Sequence, residues 1–542
     1  MKKLITFLLL AFSAASCMKG QAVDMIVHNA KIHTMDQANT IHEAMAIRDG
    51  KIVETGPERQ IMNKYSADEY LDAGKKDVFP GFTDAHGHIM SYARQKLSVD
   101  LVGSKSMNEL IVRVEKYSQA KPSKFIIGRG WDQSLWGIAE LPSNERLNEL
   151  FPDKPVLLHR IDGHAALVNQ KALDLAGITP QTVVDGGSVA VKDGKCTGLL
   201  LDNAITLVSA RLPDFNQKEI VKAVEDIQHE LLQYGITGVH EAGVDQEDYQ
   251  LLLGMVKAGK LDLDLYVMLM PSEENIAFAK KNGKITTKNM IVRSFKIIGD
   301  GALGSHGALL KRSYSDDVHA HGLLTTSVKE MNRIASIAES IGYQVNIHAI
   351  GDSTNKIVLD LLKGIHARNA DHRWRIEHAQ VIDPADFALF AETGAFPSVQ
   401  PTHAVSDQRW AETRLGTERL KGAYAYKSIL AQTGMLALGT DFPVELTNPY
   451  LTLHAAVNRK NTEGDPIGGF LPGEALTIEE CLYGMTLWPA FASFQERRLG
   501  SLEKGKEATF VILAFPFKVR DVFESNYAFK VFIKGRERYT SE

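Results

Sequence analysis

Val78-Phe-Pro-Gly-Phe-Thr-Asp84-Ala-His86-Gly-His88 is the stretch on which the fold turns. An apolar run ends in an acid and two histidines. Side chains at i and i+2 of an extended segment point to the same side, so both imidazoles face one way. Gly87 leaves room between them, and both rings can approach one cation at about 2.0–2.1 Å. Alone, His-x-His is a weak signal, because surface histidine pairs are common.

Recurrence gives the pair its weight. Further apolar runs lie at 236–240, 263–269, 294–300, 344–348, 374–378, 395–400 and 435–441. Amphipathic spacers such as 328–341 and 356–367 separate them. Strands alternating with helices predict a parallel α/β sheet, and eight such units suit a (β/α)8 TIM barrel. In a barrel the C-terminal strand ends face the active site. His348, His378 and Asp441 close the fifth, sixth and eighth runs, and Lys296 lies within the fourth. Far apart in sequence, these residues converge once the barrel closes.

About 150 residues separate the first run from the second, too many for a minimal barrel. Pieces at 125–130, 156–161 and 189–191 look like strands. The expectation is an insertion at about 90–215, after the first strand, acting as lid and specificity element over the mouth. It carries Trp131, Asp132, Arg160, Asp162 and His164, which, with Asp300, His403 and Asp407 on later loops, are candidates to line the site. An arginine suits bidentate grip on a carboxylate. Trp131, Trp136 and Trp410 suit an apolar wall, and Glu377 a structural salt bridge. Outside the barrel region 78–498, the ends 18–77 and 499–542 have short alternating strands and turn signals such as Asp49-Gly50, predicting one small composite β-sandwich built from both termini.

The 542 residues are 44% apolar and 23% charged, ordinary globular usage that excludes a disordered or fibrous chain. A net charge of −5 offers no basic excess for nucleic acid. Three cysteines exclude a disulfide scaffold. Residues 1–17 read as a bacterial signal peptide: Lys2 and Lys3, an apolar run at 4–12, then small residues. Ala14-Ala15-Ser16-Cys17 also resembles a lipoprotein signal. The expectation is an exported protein, periplasmic or tethered to a membrane through lipidated Cys17, with homodimerisation possible.

Several phrases together resemble the amidohydrolase superfamily: Phe79 to His88, Lys296-Ile-Ile-Gly-Asp-Gly-Ala-Leu-Gly304, Arg375-Ile-Glu-His-Ala-Gln380, Gln400-Pro-Thr-His403 and Gly439-Thr-Asp-Phe-Pro-Val444. With Arg160-Ile-Asp-Gly-His164 and Leu167-Val-Asn169, they are most similar to the branch typified by N-substituted formamide deformylase. The resemblance implies His86, His88, Lys296, His348, His378 and Asp441 as ligands of one or two Zn2+ ions or another divalent metal. Lys296 would be carboxylated, since an ammonium repels cations while its carbamate can bridge two of them. A small amide, an N-formyl or N-acyl amine, would be cleaved by metal-activated hydroxide. Asp441 would shuttle the proton, Lys296 would complete the catalytic centre and His403 would donate to the intermediate. Trp131, Asp132, Arg160, His164 and Asp300 would bind substrate. Glu507 and Thr440 stand where relatives usually carry Asp and Ser. Deamination or another hydrolysis on the same fold is an alternative. An exported solute-binding lipoprotein is a further one, but it predicts missing ligands.

Overall fold

The computed structural model describes residues 20–121, 123–137, 142–517 and 525–541. The signal-like segment 1–17 lies outside them. Eight parallel strands form the central sheet: β1 (Phe82–Gly87), β2 (Ile236–Val244), β3 (Asp264–Leu269), β4 (Met290–Ile298), β5 (Gln344–Ala349), β6 (Arg375–His378), β7 (Phe396–Val399) and β8 (Ala437–Leu438). They follow one another in chain order across the sheet, all parallel. The seam between β8 and β1 closes through loop atoms. Asp441 N donates to His86 O at 2.7 Å, and Thr440 Oγ1 donates to Asp84 Oδ2 at 2.6 Å. This is a (β/α)8 barrel.

The helices behave as their patterns dictate. In Val328–Ile341 the buried residues are Met331, Ile334, Ala335 and Ala338, one stripe at three-four spacing. Ser327 caps its start by accepting from Glu330 N, and Gly342 at φ 69° ends it. Helix Gln217–Gln233 packs against Ile89–Leu97 and precedes β2, serving as the outer helix of the first unit.

The run at 78–84 is divided between two structures. Asp77–Pro80 belongs to a sandwich sheet, where it pairs with Phe510–Leu513, while β1 enters the barrel. Gly81 joins them. A Cβ there would lie 2.2 Å from Thr237 Oγ1, so only glycine permits this close approach. The sandwich has a four-stranded sheet drawn from residues 21–72 and a six-stranded sheet mixing both ends of the chain. Met25, Val27, Ile47, Val78, Phe510 and Phe532 fill the space between them.

The long connection after β1 folds as a six-stranded sheet of its own, spanning Val99–Asp100 to Lys195–Asp202. Trp131 sits in its core with Leu110, Ile126, Leu147 and Leu158, fully buried, and its indole N–H donates to Leu158 O at 2.7 Å. The expectation of Trp131 as a substrate contact is therefore corrected. Its ring fills the insertion's core and does not reach the cavity described below. Cys196 and Cys481 are both free.

Candidate metal centre and active site

The C-terminal strand ends gather a set of metal-type donors. Asp441 Oδ1 lies 2.9 Å from His88 Nε2 and 3.6 Å from His86 Nε2, and its Oδ2 lies 3.7 Å from His403 Nε2. Two groups have ligand atoms all within 4.8 Å of one another: His86, His88 and Asp441, and His378, His403 and Asp441. Lys296 Nζ is 3.1 Å from His86 Nε2. The His348 ring packs on His378 at 4.5 Å between centroids. All of the ligands suggested by the sequence thus occupy one end of the barrel. His378 at φ 72° and Asp441 at φ 61° lie in the left-handed region, where the backbone turns away from strand geometry at the mouth.

A second layer fixes the rings. His86 Nδ1 is 2.5 Å from Glu377 Oε2, and His378 Nδ1 is 2.8 Å from Gln400 Oε1. With Nδ1 donating in each, Nε2 is left as an acceptor facing the other donors, the arrangement that orients histidine for a cation. Glu377 also pairs with Arg375, Nε to Oε1 at 2.7 Å, on the same side of β6. The salt bridge expected of Glu377 is thus present. Its hold on His86 was not anticipated, although the two-residue spacing of Arg375 and Glu377 is a readable cue. Asp84 accepts from His86 N and Thr440, locking the first strand end to the last.

The electrostatics follow from burial. Burial pushes the His86 imidazolium down to about 4 and holds His348 and His378 well below the ordinary histidine range, so the rings are neutral and available as ligands. Burial alone would raise Asp441. The surrounding histidines outweigh it and keep the carboxylate well below its usual range. Burial draws Lys296 down to about 8, against the pull of Glu377 and Asp441.

Above this cluster opens a cavity of about 900 Å³, lined from the barrel by His88, Lys296, His348, His403 and Asp441 and from the insertion by Asp132, Arg160, Asp162 and His164. The His164 ring lies tilted against His348 with 5.0 Å between centroids, and its Nδ1 lies 2.7 Å from Asp202 Oδ1, which holds it above its ordinary value against burial. Arg160 and Asp132 reach the cavity but are engaged with each other. Arg160 binds Asp132 Oδ1 at 2.8 Å, Gln133 Oε1 at 2.9 Å and Asp162, and Asp132 also receives Arg409 at 2.9 Å. These pairs fasten the insertion to helix Pro401–Leu420. Asp300 is a correction. Its carboxylate accepts from Leu309, Ile350 and Gly351 N, tying the end of β4 to the loop after β5, and it is absent from the cavity wall. No pairing of Lys296 with Asp300 forms, since Asp300 serves that backbone. Asp407 lines the cavity beside His403, and Trp410 does too, whereas Trp136 packs against the insertion core.

Buried neutral imidazoles, one ionised carboxylate and a lysine at a barrel rim, beneath a cavity covered by the insertion, are the makings of a metal-dependent hydrolase. The chain matches the amidohydrolase family over residues 69–531. It is 32% identical over 515 residues to Protein LONG AFTER FAR-RED 3 of Arabidopsis thaliana, covering 91% of this chain and 88% of that one. It is 28% identical to the N-substituted formamide deformylase of Arthrobacter pascens, covering 91% and 94%. A crystal structure of an uncharacterized metal-dependent hydrolase from Pyrococcus horikoshii superposes with a TM-score of 0.74 at 28% identity, over 95% of this chain and 100% of that one. The chain belongs to the amidohydrolase family and is a metal-dependent hydrolase acting on C–N bonds.

Proposed function

We propose that this protein hydrolyses a small amide, an N-formyl or N-acyl amine, at a zinc centre held by His86, His88, Lys296, His348, His378 and Asp441. The observation that carries the reading is the meeting of Asp441 with His86, His88 and His403 at 2.9–3.7 Å over strand ends 356 residues apart in sequence between Asp84 and Thr440. The residues fit a metal. His348 Nε2 is buried without a hydrogen-bond partner, and burial keeps the His348 and His378 imidazoles neutral. Nitrogen and oxygen donors without cysteine suit an open catalytic zinc site better than a closed structural one.

When bound, the cation polarises the amide carbonyl and acidifies a water. The chain's own residues do the rest. Asp441 carries a free carboxylate oxygen at the centre, so it takes the proton of the attacking water and delivers it to the leaving nitrogen. His403 Nε2 donates to the oxygen that gains charge as the carbonyl becomes tetrahedral. The Lys296 amine, drawn down to about 8, is partly neutral at physiological pH, and the neutral amine is the form that could add carbon dioxide, releasing a proton, to give an anionic carbamate able to hold a cation. Glu377 and Gln400 keep His86 and His378 in the ligating tautomer. The relative named as an N-substituted formamide deformylase supports the N-formyl amine within this class. The pattern of residues 1–17 supports export, with Cys17 as a lipid anchor.

The test is metal analysis with turnover of N-formyl and N-acetyl amines. Wild type should hold zinc and release free amine, and Asp441→Asn should bind but not turn over. Rates like wild type in Asp441→Asn, or zinc with no amide cleavage across the panel, would remove the reading.

A further inference from the structure

Three arginines line the cavity: Arg129, Arg160 and Arg409. Two are neutralised by protein. Arg160 holds Asp132 and Asp162, and Arg409 holds Asp132. Arg129 is different. Among the described residues, no carboxylate oxygen lies within 4.0 Å of it. Its Nη2 donates to Ile161 O at 3.2 Å, and its Nε is buried with no partner. Guanidinium stays protonated throughout the physiological range, so this is a standing cation. Of the carboxylates around it, Asp162 attracts it most, from beyond contact distance. Asp162 is taken by Arg160, and His159, opposite Arg129 in the sheet, is pushed down to about 3 by burial and by this same charge. A half-buried guanidinium whose Nε is desolvated and unpartnered is costly unless a partner arrives.

The position is specific as well. Arg129 is held on strand Ile126–Trp131, a rigid element of the insertion. Gly163 at φ 78° packs against it, where a Cβ would stand 3.2 Å from Nη2 and 3.4 Å from Nη1, so a side chain there would crowd the guanidinium. The cavity that Arg129 lines is the one that opens over Lys296, His348 and Asp441, so a molecule seated on the metal centre shares its space.

We infer that Arg129 receives a carboxylate on the amine side of the substrate, so that the preferred substrates are N-acyl amino acids rather than neutral N-acyl amines. The inference rests on the amide reading above and narrows it. A planar guanidinium with free N–H groups takes a carboxylate in paired, charge-assisted bonds, and the cavity that Arg129 lines supplies the space.

The experiment compares N-acetyl-leucine, each enantiomer separately, with N-isopentylacetamide, the same amide without the carboxylate. Zinc-loaded wild type, Arg129→Gln and Arg129→Lys are assayed for kcat/KM, with melting temperatures as a check on folding. In wild type one enantiomer of the acid should be the better substrate. In Arg129→Gln the acid-to-neutral ratio should fall about 30-fold or more, and Arg129→Lys should recover part of it. An unchanged ratio in Arg129→Gln, an equal loss on both amides, or wild-type preference for the neutral amide overturns the inference. If Arg129→Gln does not fold, the same ratio in Arg129→Lys decides, and a ratio equal to wild type overturns it. If wild type cleaves neither amide, titration calorimetry with N-acetyl-leucine separates the claims. Binding that weakens about 30-fold in the variant supports the carboxylate site while the amide reading falls, and no binding to wild type overturns both.

Discussion

His86 shows how much of a metal centre lies outside the ligands themselves. Its Nε2 faces Asp441 and Lys296 while Nδ1 is fixed at 2.5 Å by Glu377, itself charged because Arg375 and His86 overcome its burial. Glu377→Gln keeps the shape but loses the charge, and zinc affinity measured by competition with a chelator should fall about 10–100-fold. An unchanged affinity would show that Glu377 serves Arg375 alone. Asp441→Asn should lower kcat about 1000-fold with KM little moved, since the proton carrier acts after binding. Asp407 makes a separate prediction about pH. Burial, with Glu445 alongside, raises its carboxyl to about 7, while Tyr424 and Gln380 donate to it. Its pKa in the unfolded chain is near the ordinary 3.8, so the folded protein binds the extra proton between these values. Stability from this group is full below 3.8 and is lost as pH rises through about 7. Asp407→Asn has no such loss. The melting temperature of the metal-free variant, relative to wild type, should therefore climb about 2–4 °C across that window. A flat or falling difference would contradict the assignment.

At the level of elements, the insertion is the part the sequence described least well. Its presence was legible, because 150-odd residues cannot form a βα loop, and its strands at 126–131 and 156–160 were readable as apolar runs. The direction of its side chains was not. Regular alternation puts Arg129 and Trp131 on one face, but the register shifts between them at Gly130, φ 111°, and which of the two then packs on the helix Met107–Ala120 is not written in the strand pattern. That choice is tertiary. Tryptophan went to the core, and arginine went to the mouth. Trp131→Ala should therefore cost about 3–5 kcal/mol in denaturant unfolding and act on catalysis only through stability. A selective rise in KM with no loss of stability would return Trp131 to the site. Asp300 was misjudged for a similar reason. It follows β4 as a catalytic group would, yet the free N–H groups of the loop after β5 claim its carboxylate.

For the whole molecule, periodicity was sufficient to read the architecture. Eight apolar runs with helical spacers predicted the barrel, and the donors were visible because each sits where a strand ends. The reading of one continuous run fails at Gly81, where the run feeds two sheets and no residue type marks the boundary except the glycine. The supporting shell of Glu377, Gln400 and Asp84 was harder to see, because its partners are 22 to 356 residues away in sequence. The account depends on these distant positions closing around an ion. Anomalous diffraction recorded above and below the zinc absorption edge, from crystals grown with zinc, tests that directly. A peak bounded by His86, His88, His378 and Asp441, with density extending Lys296, is the predicted result. A featureless map at that rim, with zinc bound elsewhere or not at all, would contradict it.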